Sequence, residues 1–154
     1  LSRTVGWFTT IYPVLLDVPA DDWGTALKGM KRLLRKVPGR GLGYGALRCL
    51  SPVGAAALAG AAEPEVSFNY LGQWDGTTRG DGLIRDRLDG LGRDQAAGQQ
   101  RPHLIDIVAA VNEGRLQVDW LHSDAHHTTD TIERLAREFV TALREIVEHA
   151  RSGR

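Results

Sequence analysis

The chain has 154 residues, 42% hydrophobic and 25% charged, enough for one domain with a real core or for half of a larger one. Lys plus Arg balances Asp plus Glu at 19 each, so nothing in the charge argues for nucleic acid or an anionic membrane as partner. No apolar run approaches the roughly 20 residues of a spanning helix, and a single cysteine, Cys49, excludes an internal disulfide framework and fits a reducing cytosol.

The start, "LSRTVGWF", lacks an initiating Met and the basic-then-apolar layout of a signal peptide, so it is expected to be the interior of a longer chain. "TVGWFTTIYPVLLDV" is rich in β-branched and aromatic residues and reads as a strand broken by Pro13. In "ADDWGTALKGMKRLLRKV" the residues Trp23, Ala26, Leu27, Met30, Leu33, Leu34 and Val37 recur at helical spacing. Asp21 or Asp22 can cap that helix, and Pro38 with Gly39 ends it. "PGRGLGYGALRCL" starts glycine-rich and turns helical from Tyr44 to Leu50, with Cys49 expected as a small core residue. "SPVGAAALAGAAEPE" reads as a loop.

Val66 to Leu71 reads as a short buried strand, although Asn69 and Tyr70 place an amide and a phenol in it. Buried polar groups need partners or a purpose. From Asp75 to Arg101 the chain is polar and without periodicity, the signature of a functional or mobile segment. "HLIDIVAAVNEGRLQVDWLHS" is a hairpin: Ile105, Ile107, Ala109 and Val111 alternate, "NEGR" turns, and Leu116, Val118 and Trp120 alternate back. Thr131 to Ala150 is an amphipathic helix, with Asp130 and Glu133 at a cap-box-like start. The sum is α+β: a small, mostly antiparallel sheet covered by long helices.

Three patterns tempt and are set aside or left open. "GLGYGA", Gly41 to Ala46, matches a dinucleotide fingerprint with Glu63 at the spacing of the ribose-binding acid, but a basic helix precedes it where a strand is required. His126 and His127 in "HHTTD" point too far apart to share one ion, so no metal site is expected; His103, His122 and His149 are isolated. Lys28, Lys31, Arg32, Arg35 and Lys36, with Arg40 beyond, form a basic stripe that is either a solvated face or an attractor for an acidic partner or a phosphate.

Three ordered motifs carry a resemblance. "RTVGWFTTIYPV" (Arg3 to Val14), "PGRGLGYG" (Pro38 to Gly45) and "FNYLGQ" (Phe68 to Gln73) resemble those of the epimerization domains of nonribosomal peptide synthetases, within the condensation-domain superfamily. The resemblance spans nearly the whole chain. It implies one lobe of a chloramphenicol-acetyltransferase-like (CoA-dependent acyltransferase-like) fold, specifically the C-terminal lobe over residues 1–154. The segment 75–101 would then be mobile or reach across to the other lobe. The family's H-H-x-x-x-D-G motif and its glutamate motif are not in this sequence; "HHTTD" lacks the glycine and one residue of spacing.

The implied parent interconverts L- and D-aminoacyl or peptidyl thioesters by removing and returning an α-proton, in the cytoplasm. The substrate rides on the phosphopantetheine arm of a peptidyl carrier protein, and this chain binds no cofactor or metal of its own. The implied partners are that carrier, the N-terminal lobe and the neighbouring synthetase domains, with no nucleic acid or membrane. Without the missing motifs the isolated chain is expected to be inactive. Tyr70 and Asn69 are the candidate catalytic side chains, holding the thioester or donating to the enolate oxygen. Thr9, Thr10, Gly43, Tyr44, Gly45 and Gln73 are candidates for tunnel lining or shape, the glycines permitting tight turns and positive φ. The alternatives are the C-terminal lobe of a peptide-bond-forming condensation domain and a non-catalytic docking lobe.

Overall fold

The computed structural model describes residues 4–6, 8–18, 22–73 and 99–153. The chain divides into two units, Leu1–Glu63 with Ala142–Arg154, and Pro64–Thr141.

In the first unit, α1 (Trp23–Lys36) starts where the Asp22 carboxylate accepts the Thr25 N–H at 2.8 Å, and ends at Val37 before Pro38. That is the start and stop its sequence announces. The Trp23 indole N–H donates to Glu145 Oε2 at 3.1 Å, and the ring of His149 lies against Gly24. A 3₁₀ turn, Pro38–Gly41, leads into α2 (Leu42–Leu50). The segment expected as a loop instead begins with a third helix, α3 (Pro52–Leu58). Ser51 accepts the Gly54 N–H at 3.1 Å and Pro52 takes the first helical position, so a Ser-Pro pair that reads as a turn is a cap followed by alanines, strong helix formers. Gly54 lets α3 approach α2: a Cβ there would stand 2.3 Å from the Leu47 carbonyl oxygen.

The strand expected over residues 4–18 does not form among the described residues there. A strand exists only with a ladder partner, and the segment instead uses side chains on its neighbours. Thr10 Oγ1 donates to the Arg40 carbonyl at 3.3 Å, and the Tyr12 ring fills the space beside Gly41.

The second unit is a three-stranded sheet, β1 (Val66–Gln73), β2 (Ile105–Asn112) and β3 (Arg115–His122), in that order. β2 and β3 pair antiparallel, joined by Glu113 and Gly114 with φ of 50° and 70°. That is the two-residue primed turn that matches strand twist. β1 pairs parallel to β2, so the sheet is mixed, one of its two pairings being antiparallel. α4 (Thr129–Arg151) packs Ile132 and Leu135 onto Ile105, Ile107, Val118 and Trp120. Phe139 meets Trp120 edge-on with ring centroids 5.8 Å apart, an arrangement worth about 1 kcal/mol beyond its burial. The cap of α4 is Thr128, whose hydroxyl accepts the Thr131 N–H at 3.4 Å; Asp130, expected to cap, lies inside the first turn.

Candidate functional site: the edge strand and the glycine-rich motifs

The strand expected to be buried is exposed. Phe68 is 60% and Tyr70 53% accessible, because β1 is the edge of the sheet and α4 covers only the face of β2 and β3. Register sorts its side chains. Val66, Phe68 and Tyr70 pair with Ile105, Ile107 and Ala109 and share the core face, while Ser67 and Asn69 pair with Asp106 and Val108 on the other. Asn69 and Tyr70 therefore project from opposite faces. Among the described residues neither side chain has a hydrogen-bond partner, so bonding to neighbouring backbone does not account for them.

A bulge then changes the sequence of faces. Tyr70 pairs with Ala109 but Gln73 pairs with Val111, three residues on β1 against two on β2. Gly72 absorbs the extra residue at φ 86°. Gln73 is thereby in register on the face that carries Tyr70, whereas uninterrupted alternation would have put it on the other. One face at the end of β1 thus carries the phenol of Tyr70 and the amide of Gln73.

On the opposite face lies a polar cluster that the sequence pattern does not announce. Asp106 accepts from Ser67 Oγ and Arg101 Nη2, and its Oδ1 stands 3.1 Å from His103 Nδ1. Arg101 Nη2 also donates to the Leu121 carbonyl at 3.1 Å. Asp106 and Arg101 are only 20% and 21% exposed, so the carboxylate is a half-buried clasp joining β1, β2, β3 and the chain entering β2. His103 is thus a satisfied histidine, while His122 Nε2 lies 3.3 Å from Asp124 Oδ1 without a hydrogen bond among the described residues. The one signal that could have found the clasp is "IDI": an aspartate between two inward isoleucines must face the other side, opposite whatever β1 offers there.

The other two motifs meet in the first unit. Gly41, at φ 81°, would place a Cβ 1.9 Å from Tyr12 Cδ1, so "IYP" packs directly on "GRG". Gly39 and Arg40 also adopt positive φ, both 54°. Gly43 and Gly45 do not: they sit inside α2 with open space around a would-be Cβ, so tight turning does not explain them. Tyr44 lies on α2, its hydroxyl accepting from Arg48 Nη1 at 3.4 Å while Arg48 also pairs with Glu63. Glu63 is thus an ion-pair partner, and the helix before Gly41 removes the dinucleotide reading. Thr9 and Phe8 are exposed, and Trp7 lies outside the described residues. Cys49, expected in a core, is exposed, because no residue of α2 is buried. The segment 75–101 falls mostly outside the described residues, which resume at Gln99. Among the described residues no group of three His, Cys, Asp or Glu could hold a metal ion, and no helix is long and apolar enough to cross a membrane.

An α+β chain with an exposed polar edge strand and two glycine-bearing motifs packed together defines the class; comparison supplies the family. The Condensation domain family matches residues 1–153, and the chain belongs to that family. It is 43% identical over 155 residues to a linear gramicidin synthase polypeptide of Brevibacillus parabrevis, covering 99% of this chain and 2% of that protein. It is 37% identical to surfactin synthase subunit 1 of Bacillus subtilis (strain 168), covering 99% of this chain and 4% of that protein. Among solved structures it is similar to the epimerization domain from the third module of tyrocidine synthetase B, at 37% identity and a TM-score of 0.79. That match covers 96% of this chain and 33% of the other. The chain thus shares the chloramphenicol-acetyltransferase-like fold expected of it, and spans a small part of the synthases it matches.

Proposed function

We propose that this chain is the C-terminal lobe of an epimerization domain in a nonribosomal peptide synthetase. The parent interconverts L- and D-configured residues held as thioesters on a carrier protein, in the cytoplasm. The observation that carries the reading is the exposed, unpartnered Tyr70 phenol in "FNYLGQ", with Gln73 turned onto the same face by the bulge at Gly72. Similarity to an epimerization domain supports it.

Removing an α-proton from an aminoacyl thioester leaves an enolate whose oxygen needs a donor. The phenol hydroxyl of Tyr70 is an O–H donor and fits that role. In this reading the groups that take and return the proton belong to the part of the parent outside this chain, and the lobe alone is inactive. The reaction draws on no metal or nucleotide, and the thioester itself acidifies the α-carbon. The partners are the carrier with its phosphopantetheine arm, the other lobe and the adjoining synthetase domains.

The test uses the full-length parent and its carrier loaded with an L-aminoacyl thioester, with no downstream acceptor. Formation of the D-thioester is expected. Retention of the L form, with dipeptide appearing only once an acceptor is added, would assign the chain to a peptide-bond-forming condensation domain.

A further inference from the structure

The bulge at the end of β1 does not terminate the strand. The ladder resumes beyond it, Gln73 pairing with Val111 after Tyr70 has paired with Ala109, so that Leu71 and Gly72 together span the one residue Ala110 of β2. Such an insertion gives up ladder hydrogen bonds, and bulges characteristically re-aim the side chain that follows. Gly72 contributes its φ of 86° rather than a close approach, since nothing stands within 4 Å of a would-be Cβ. Packing does not account for the outcome either, because Gln73 is exposed.

What the bulge brings to that face is a second hydrogen-bonding group. Ala109 and Val111 are two residues apart, so Gln73 rises from the sheet roughly 7 Å beyond Tyr70. The residues in register around them, Ala109, Val111, Val118 and Leu116, are all apolar. Among the described residues in register, a phenol and a carboxamide are therefore the two polar side chains at this end of the face. The phenol offers one O–H, and the carboxamide two N–H groups and no titratable proton. An enolate oxygen has lone pairs for more than one donor. Donors held in place beside apolar surface, where the local dielectric is low, act most strongly on charge that develops there.

We propose that Gln73 is a further catalytic residue, its side-chain N–H donating to the enolate oxygen beside the Tyr70 hydroxyl. The proposal rests on the epimerization reading above. The test is solvent-deuterium exchange at the α-carbon of a carrier-bound L-aminoacyl thioester by the full-length parent, for wild type, Gln73→Met and Gln73→Glu, with urea midpoints measured alongside. Gln73→Met keeps the length of the side chain and removes both N–H groups. It is expected to lower kcat about 10²-fold with KM little changed, because the donor acts in the transition state. Gln73→Glu sets a carboxylate against the developing oxyanion and is expected to be slower still. Both midpoints should stay near wild type, as at other exposed positions. Wild-type kcat in Gln73→Met would overturn the proposal, as would a loss of kcat that tracks a lowered midpoint. So would faster exchange by Gln73→Glu than by Gln73→Met, which would make the amide an acceptor for the substrate's α-nitrogen. A wild-type parent that exchanges no α-proton sinks the epimerization reading and this role with it; wild-type exchange that Gln73→Met leaves intact sinks the role alone.

Discussion

Asn69 and Tyr70 follow each other in β1 and stand on opposite faces of the sheet, Asn69 in register with Val108 and Tyr70 with Ala109. Two side chains so placed cannot converge on one substrate atom from the same side. Asn69 shares its face with Ser67 and Asp106, which are tied to each other and not to it. Tyr70 shares its face with Gln73, and its hydroxyl is unclaimed among the described residues. Both side chains are without a hydrogen-bond partner among the described residues, so it is the face, shared with Gln73, that makes the phenol the better candidate for direct contact with a thioester.

The bulge at Gly72 is required to bring Gln73 to that face. Space around Gly72 is open, so its cost to a side chain is conformational: φ 86° penalises an L residue by about 1–2 kcal/mol. Gly72→Val is expected to lower the urea midpoint at constant m-value, with Gly72→Asn, which tolerates the left-handed region, falling between. Equal loss from Val and Asn would point to a steric origin instead.

Asp106 clasps three strands and the entering chain. Asp106→Asn leaves the Arg101 cation half-buried without its counter-charge and is expected to destabilise by about 2 kcal/mol in urea unfolding. Ser67→Ala, removing one neutral donor, should lose about 1 kcal/mol.

Gly41 carries two separable constraints, its φ of 81° and the Tyr12 ring at 1.9 Å from a would-be Cβ. Gly41→Ala is expected to destabilise by about 3 kcal/mol, combining backbone strain with steric conflict. In a double-mutant cycle with Tyr12→Ala, only the steric part should be relieved, leaving about 1–2 kcal/mol.

Hydrogen bonding from Thr25, then from the Gly24 N–H, and last the pull of His149 hold the Asp22 carboxyl below the ordinary carboxylate range. A group whose folded value is depressed contributes stability above its unfolded pKa, near 3.9, and loses it as pH falls through the lower folded value. Thermal unfolding of Asp22→Ala should therefore show a deficit against wild type at neutral pH that shrinks below about pH 4. Asp22→Asn, which caps without titrating, should lack that convergence.

The two long helices, the hairpin and its turn are legible in the sequence because each announces itself locally, by period, cap or positive-φ turn chemistry. The segment 4–18 reads as a strand and forms none among its described residues, because β propensity says nothing of whether a ladder partner is within reach. Burial of β1 is overestimated for a related reason: an apolar strand looks the same whether its neighbours lie in this chain or outside it. Ser51 and Pro52 read as turn residues, although the same pair starts helices. Beyond the outward aspartate of "IDI", the partners of the Asp106 clasp are not legible, because Ser67 lies 39 residues away and only the parallel register joins them. Tyr70, Asn69 and Gln73 stand out through a motif, but only the register and the bulge distinguish their faces.

The central claim is that Tyr70 lines the reaction site. Its most direct test is solvent-deuterium exchange at the α-carbon of a carrier-bound aminoacyl thioester by the full-length parent, comparing wild type, Tyr70→Phe and Asn69→Ala. The account predicts that Tyr70→Phe slows exchange about 10²-fold, as loss of an enolate donor should, while Asn69→Ala slows it far less. Exchange at the wild-type rate in Tyr70→Phe would contradict it.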